Sequence, residues 1–188
     1  VIADNLSRGS QDADLAELLK NRNVKIIECD LTDAASMVLL GNGYDYVYHL
    51  AGINGMQMFN QIPHEVLRVG IKTTLNILEW FRSHNNQPGA KILFVSTNEV
   101  YAAAADAFGA LPIPTPETVP LVIADTYNPR NSYAGSKLIG ELLFIHYSKA
   151  YDFRMSIIRL HNVYGPRAGY HPMIPTMIGR IQQHLDPF

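Results

Sequence analysis

The sequence predicts an α/β fold built on a doubly wound parallel sheet. Three observations carry the prediction. Short β-rich apolar runs alternate with longer helical patterns along the whole chain. Some of these runs, such as Ile92 to Val95, are continuously apolar, as strands covered on both faces are. Polar or small residues follow directly after the runs, at Asp4, Ala51-Gly52 and Ser96-Thr97-Asn98-Glu99, at the carboxyl rim where open α/β sheets bind ligands.

Composition sets the outer bounds. The chain has 188 residues, 47% apolar and 17% charged, which suits one domain with a substantial core. A net charge of −2 gives no global field toward nucleic acid or anionic lipid, so no nucleic-acid partner is expected. Cys29 is the single cysteine, which excludes an intrachain disulfide. No apolar run approaches the ~18 residues of a membrane span. The opening VIADNLSRGS lacks the basic and apolar segments of a signal peptide. The expected setting is soluble, reducing and cytoplasmic, with no membrane partner. Seven histidines are scattered without metal-ligand spacing, so no metal is expected.

Taken in order, Val1 to Ala3 reads as the tail of a buried strand, with Asp4 and Asn5 at its end. Leu15, Leu18 and Leu19 make a helical stripe over 12–22, with Asp12 or Asp14 as its start signal. Val24 to Cys29 is a strand. A short helix containing Met37, Leu39 and Leu40 follows, with Asp33 or Thr32 as a candidate N-cap, the reading preferred for Thr32. Tyr46 to Leu50 is a strand with Ala51-Gly52 at its end, and His49 within it reads as a core histidine. Ile53 to Ile62 reads as a loop. Val66, Val69, Leu75, Ile77, Leu78, Trp80 and Phe81 mark a long helix over 63–83. Lys91 to Val95 is the next strand. The stretch 102–132 contains five prolines and little periodicity, and reads as one long loop. A helix follows over 133–151, apolar on nearly all sides and therefore buried on more than one. Arg154 to Leu160 is a strand, and 173–185 a last helix.

The chemistry centres on Tyr133-Ala-Gly-Ser-Lys137. Positions i and i+4 share a helix face, so the Lys137 ammonium would lie near the Tyr133 phenol. A free tyrosine titrates near ~10, and a neighbouring cation favours its phenolate. That arrangement makes an acid/base usable near neutrality. The motif alone also fits an ordinary exposed Tyr and Lys, but it does not stand alone.

Upstream of it lie KILFVSTNEVY (91–101) and YVYHLAG (46–52); downstream lies RMSIIRLHNVYGPR (154–167); the chain opens VIADNLSRG. Together these resemble the extended short-chain dehydrogenase/reductase family, in its NAD-dependent nucleotide-sugar epimerase and dehydratase branch, over residues 1–170. The resemblance implies a Rossmann-like sheet. It implies Tyr133 as the proton acceptor from a sugar hydroxyl, Lys137 lowering its pKa and holding the nicotinamide ribose, and Thr97 or Ser96 bonding the same sugar oxygen. It implies Asp4 with Asn5 at the NAD ribose, favouring NAD over NADP, with Arg8 partly offsetting. Asp30 and Leu31 would meet the adenine, Ala51-Gly52 would let the dinucleotide approach the backbone, and the His161 region would approach the nicotinamide. Asn98, Asn162 and Arg167 would contact the substrate, a nucleotide sugar. The helices over 63–83 and 133–151 would form a homodimer interface, as the family commonly does. Competing readings stand beside two of these: Asp4-Asn5 suits a turn, and NVYGPR suits a turn with a solvated arginine.

This sequence departs from the family pattern in several places. The family's first strand and glycine-rich turn have no counterpart. The sequence begins where the second strand would be ending and stops where a C-terminal substrate domain would be starting. The expected organisation is thus a partial Rossmann-like doubly wound parallel sheet over 1–170, lacking the first strand and glycine-rich turn, and the start of a truncated substrate-binding region over 171–188. Weak or absent NAD binding follows, because a helix N-terminus holding the pyrophosphate is lost. The gap would close by direct pairing of the flanking strands, by exchange with another subunit, or by displacement. Gly70 replaces a cofactor-contacting asparagine. Asn98 replaces the aspartic acid of the dehydratase Thr-Asp-Glu pattern, and an amide cannot donate a catalytic proton as that acid does. Glu99 remains as a candidate base. The favoured activity is therefore epimerisation, with 4,6-dehydration or decarboxylation as the alternative. A reading from a different class is an inactive binding or assembly module.

Overall fold

The computed structural model describes residues 1–7, 12–165 and 173–185. It contains five strands: β1 (Ile2–Asp4), β2 (Ile26–Glu28), β3 (Tyr46–His49), β4 (Lys91–Thr97) and β5 (Arg154–Leu160). Six α-helices alternate with them: α1 (Ala13–Leu19), α2 (Met56–Gln61), α3 (Pro63–Ser83), α4 (Glu99–Phe108), α5 (Asn131–Tyr151) and α6 (Met173–Gln182). A 3-10 helix spans Ala34–Leu40. Its N-cap is Asp33, one of the two candidates, whose carboxylate accepts from the Ala35 N–H at 3.1 Å; Thr32, read as a cap in the sequence, instead donates its N–H to the Asp30 carboxylate at 2.9 Å. Asp12 caps α1 by accepting from the Leu15 N–H at 2.8 Å.

The α/β alternation is as expected, with all strand pairs parallel. The strands form two sheets, β1-β2 and β3-β4-β5. Among the described residues no ladder joins β1 to β3, so direct pairing of the flanking strands does not close the sheet.

Two segments expected as loops carry helices. The stretch 53–62 contains α2, and the first part of 102–132 belongs to α4. The α4 sequence EVYAAAADAF has five alanines and no long apolar stripe. Alanine propensity, which a search for periodicity passes over, stabilises it.

Helices α3 and α5 pack on each other, and α5 packs on β4, against the face bearing Ile92 and Phe94. Two glycines set the spacing. A Cβ on Gly70 would lie 2.9 Å from the Ser136 Cβ, and one on Gly140 would lie 2.4 Å from the Phe94 Cζ. Gly70 thus has a packing reason in this chain, whatever a longer side chain does elsewhere. Phe94 and Phe144 stack at 4.8 Å beside His49, which is 3% exposed. The His49 Nε2 pairs with the Thr74 hydroxyl at 3.1 Å, and burial pushes its imidazole down to about 3. It is the neutral core histidine that the sequence suggested.

Overpacking at Gly140 follows from this geometry. Gly140→Ala is expected to lower stability by about 1–3 kcal/mol, since the Phe94 ring must move within a filled core. Urea midpoints for the variant and the parent chain measure this. An unchanged midpoint would mean that α5 can slide freely on β4.

Candidate active site

Helix α5 starts at a fixed point. Asn128 Oδ1 accepts from the Arg130 N–H at 3.0 Å, and Asn131 donates to the Asp125 carbonyl at 2.7 Å. The close α3–α5 and α5–β4 contacts then place one turn of α5, Tyr133 to Lys137, against the ends of β3 and β4. Tyr133 and Lys137 line a small pocket together with Ala51, Gly52 and Ile53. Gly52 faces Lys137 across this pocket: a Cβ on it would lie 4.0 Å from the Lys137 Nζ, an ordinary van der Waals contact.

The electrostatics differ from the sequence expectation. Lys137 donates to the Val95 carbonyl at 2.8 Å and lies over the Phe94 ring at 5.0 Å, and its Nζ is 5.8 Å from the Tyr133 ring centroid. Burial pushes the Lys137 ammonium down to about 8. Burial also raises the Tyr133 phenol; a hydrogen bond with Thr97 opposes the rise and the Glu99 charge adds to it. The Tyr133 ring stacks on Phe59 at 4.5 Å. In this state the phenol rests protonated, and Lys137 is committed to backbone instead of lowering the tyrosine.

The end of β4 divides its side chains by strand alternation. Thr97, 7% exposed, accepts from the Glu99 N–H at 3.3 Å and meets Tyr133. Ser96 is committed elsewhere: its hydroxyl donates to Glu141 at 2.5 Å. Glu141 also takes two bonds from Arg159, at 2.9 and 2.7 Å. Arg159 continues to the Tyr101 hydroxyl at 2.6 Å and the Glu117 carbonyl at 3.1 Å. Of the two candidate hydroxyls only Thr97 is therefore beside Tyr133. Asn98 bonds the Leu160 carbonyl through its N–H at 2.8 Å, and Glu99 is held by Arg130, whose guanidinium lies 3.2 and 3.1 Å from its two oxygens.

A cleft of about 760 Å³ separates the two sheets. It brings together Asp4, Asn5, Asp30, Leu31, Ala51 and Gly52, six of the sequence candidates for cofactor contact. Asp4 also accepts from the Leu6 N–H at 2.7 Å, so the turn reading and the cleft position hold at once. Hydrogen bonds from Thr32, backbone first, keep the Asp30 carboxyl below its ordinary value, with Arg68 and Asn5 assisting. Asn76 donates to the Leu31 carbonyl at 2.8 Å and fixes that loop. Ala51, Gly52 and Ile53 line both spaces, so the cleft runs on toward Tyr133.

Not every candidate joins the site. His161 and Asn162 are exposed beyond β5, with the Asn162 N–H donating to the His161 Nδ1 at 2.8 Å, and neither lines the cleft or the small pocket. Arg167 and Arg8 lie outside the described residues. Sequence reasoning missed Phe59, Arg68 and Arg130. Arg130 alone carried a signal, since it stands in the turn that leads into the Tyr-Lys helix. Among the described residues no cluster of three or more His, Cys, Asp or Glu suits a metal, and no helix is long and apolar enough to cross a membrane.

A parallel α/β sheet with a cleft at its strand ends and a Tyr-x-x-x-Lys helix beside it defines a Rossmann-like α/β class. The sequence model of the NAD dependent epimerase/dehydratase family matches residues 1–187, and the chain belongs to that family. It is 31% identical over 167 residues to UDP-N-acetyl-alpha-D-glucosaminuronate decarboxylase of Bacillus cytotoxicus, covering 87% of this chain and 48% of that protein. It is 29% identical to UDP-glucuronate 4-epimerase 1 of Arabidopsis thaliana, covering 79% of this chain and 32% of that one. The solved structure of Pal from Bacillus thuringiensis superposes with a TM-score of 0.78 at 27% identity, over 97% of this chain and 55% of that one. The chain spans about half or less of the length of these relatives.

The buried Lys137 has a pH signature. Its folded value of about 8 lies below its ordinary value, so between the two the unfolded chain binds more protons and stability rises with pH. Relative to Lys137→Met, the parent chain is expected to gain up to about 1.4 kcal/mol per pH unit from pH ~8 to ~10. Urea unfolding of both chains across that range measures the gap, and a pH-independent gap would contradict the burial of this amine.

Proposed function

We propose that this chain carries the cofactor-binding and proton-transfer part of an NAD-dependent nucleotide-sugar epimerase. The observation that carries the reading is the convergence of Tyr133, Lys137 and Gly52 at the end of the cleft whose other end holds Asp4 and Asp30. Those carboxylates suit ribose hydroxyls, and the Ala51-Gly52 backbone admits close approach of a ligand. Bound NAD would supply the hydride chemistry. In the oxidation step Tyr133 would act as the phenolate, a form the Lys137 ammonium favours once it turns from the Val95 carbonyl toward the ring, and would accept the proton of a sugar hydroxyl as its carbon becomes a ketone, with the Thr97 hydroxyl orienting the same oxygen. The phenol so formed would give that proton back as the ketone is reduced from the opposite face, which returns Tyr133 to the phenolate. Lys137, one turn away, would hold the nicotinamide ribose.

Epimerisation is favoured over dehydration because Asn98 offers no acid and Glu99 is engaged by Arg130. Decarboxylation, the activity named for one relative, remains the second reading, since it shares the ketone-forming step and needs no group at position 98.

NADH fluorescence titration and turnover of UDP-sugars test the proposal together. Tyr133→Phe is expected to keep NADH affinity within about twofold and to lower sugar turnover by roughly 10²–10⁴, the usual weight of a general acid/base. A variant with full turnover, or a folded parent chain that leaves millimolar NADH unbound, would overturn the enzyme reading and leave the binding-module alternative.

The family's homodimer is proposed for the same helices. On α5, Ile139 and Leu142 are 39% and 50% exposed, and on α3 the half-buried Leu67, Ile71 and Leu75 recur at i, i+4 and i+8. Leu142→Glu is expected to convert a dimer into a monomer in light scattering. A dimer that survives this change would place the interface elsewhere.

A further inference from the structure

The most unusual feature outside the expected constellation is the bond between the first turns of two helices. Glu99 opens α4, two residues after Thr97, and Arg130 immediately precedes α5, three residues before Tyr133. One guanidinium nitrogen of Arg130 bonds both Glu99 oxygens, at 3.2 and 3.1 Å. Arg130 is itself fixed by its backbone N–H, which donates to Asn128. The Glu99 N–H in turn donates to Thr97, so one short stretch joins Arg130, Glu99, Thr97 and Tyr133.

We propose that Arg130 is a positioning residue for Tyr133, acting through Glu99: it pins the Glu99 carboxylate at the start of α4 and keeps it from approaching the phenol. The inference rests on the reading of Tyr133 as the acid/base, and extends it to a residue that lines neither the cleft nor the small pocket. The charged and titratable groups around the phenol are few. Glu99 approaches from α4 and Lys137 from the same helix, while His49 on β3 stays neutral at physiological pH. Phe59, from α2, brings no charge. Glu99 therefore supplies the negative charge near Tyr133, and a carboxylate there disfavours the phenolate. Its distance from the phenol is the adjustable quantity, and Arg130 sets that distance. The same bond draws on the Glu99 lone pairs, which makes this carboxylate an orienting charge in place of a free proton acceptor.

The test reads the phenol directly and needs no turnover. The chain is labelled with 3,5-difluorotyrosine, whose phenol ionises near neutrality, and followed by ¹⁹F NMR against pH. Loss of one resonance in Tyr133→Phe assigns the signal. Arg130→Gln is expected to raise the Tyr133 midpoint by on the order of half a pH unit. Arg130→Lys, which keeps the cation, is expected to restore most of it. Glu99→Gln alone lowers the midpoint, and in that background Arg130→Gln shifts it by less than half as much. An unmoved midpoint in Arg130→Gln would overturn the proposal. Equal shifts with and without Glu99 would also overturn it, because Arg130 would then act on the phenol through space. Sugar turnover by Tyr133→Phe would sink the enzyme reading and leave this titration result standing.

Discussion

The site depends on how closely α5 sits on β4. Gly140 lies against the Phe94 ring with no room for a Cβ, and Gly70 lets α3 approach Ser136 to the same degree. Both contacts fall within a turn of Lys137. The amine consequently lands under the Val95 carbonyl and beside Gly52, and the phenol reaches Thr97. Glycine within a helix is destabilising by roughly 1 kcal/mol relative to alanine. Here that loss is offset by burial of Phe94, Phe144 and Ile92, which a wider helix spacing would leave partly open.

The opposite side of the same strand end is fixed by charge. Ser96 and Thr97 are neighbours in sequence but point to different faces. Ser96 enters a buried network with Glu141 and Arg159, which reaches across to Tyr101 and the Glu117 carbonyl. A buried ion pair adds little net stability once its desolvation is counted, although breaking it by removing one partner is costly. Its contribution here is geometric. Glu141 lies one turn beyond Lys137 on α5, and Arg159 pairs in register with Ser96 across β4 and β5. The network therefore locks the register of the strand that delivers Thr97 to the helix that delivers Tyr133.

Much of this was legible in the sequence, for identifiable reasons. Strands β3, β4 and β5 are marked by apolar runs with a chemistry-bearing end, and α3 and α5 by sustained apolar faces. The six cleft residues from Asp4 to Gly52 all lie at or just beyond strand ends, and the parallel topology gathers them at one rim. Other features were not legible because they depend on partners distant in the chain. Nothing local distinguishes Ser96 from Thr97 until Glu141 and Arg159 arrive. The fall in the Lys137 pKa comes from burial under β4, which the i, i+4 spacing does not report. Helix α4 was missed because alanines stabilise it without producing a stripe, and α2 because its two turns are too short for periodicity to register.

The polar end of the cleft also says which part of a dinucleotide it suits. Asp4, Asp30 and Glu65 line it, and among the described lining residues Arg68 is the cation. Arg68 is bonded to Glu65, with guanidinium-to-carboxylate distances of 3.0 and 2.7 Å. That balance leaves a surplus of carboxylate, which accepts hydrogen bonds from ribose hydroxyls and repels a phosphate brought close to it. Lys137 is the remaining cation nearby, and its proton is directed at Val95. A lining of this charge suits the ribose hydroxyls of a nucleotide better than its pyrophosphate. On the proposed reading, the described part of the cleft would contribute ribose contacts at Asp4 and Asp30 and close backbone approach at Gly52 to cofactor affinity.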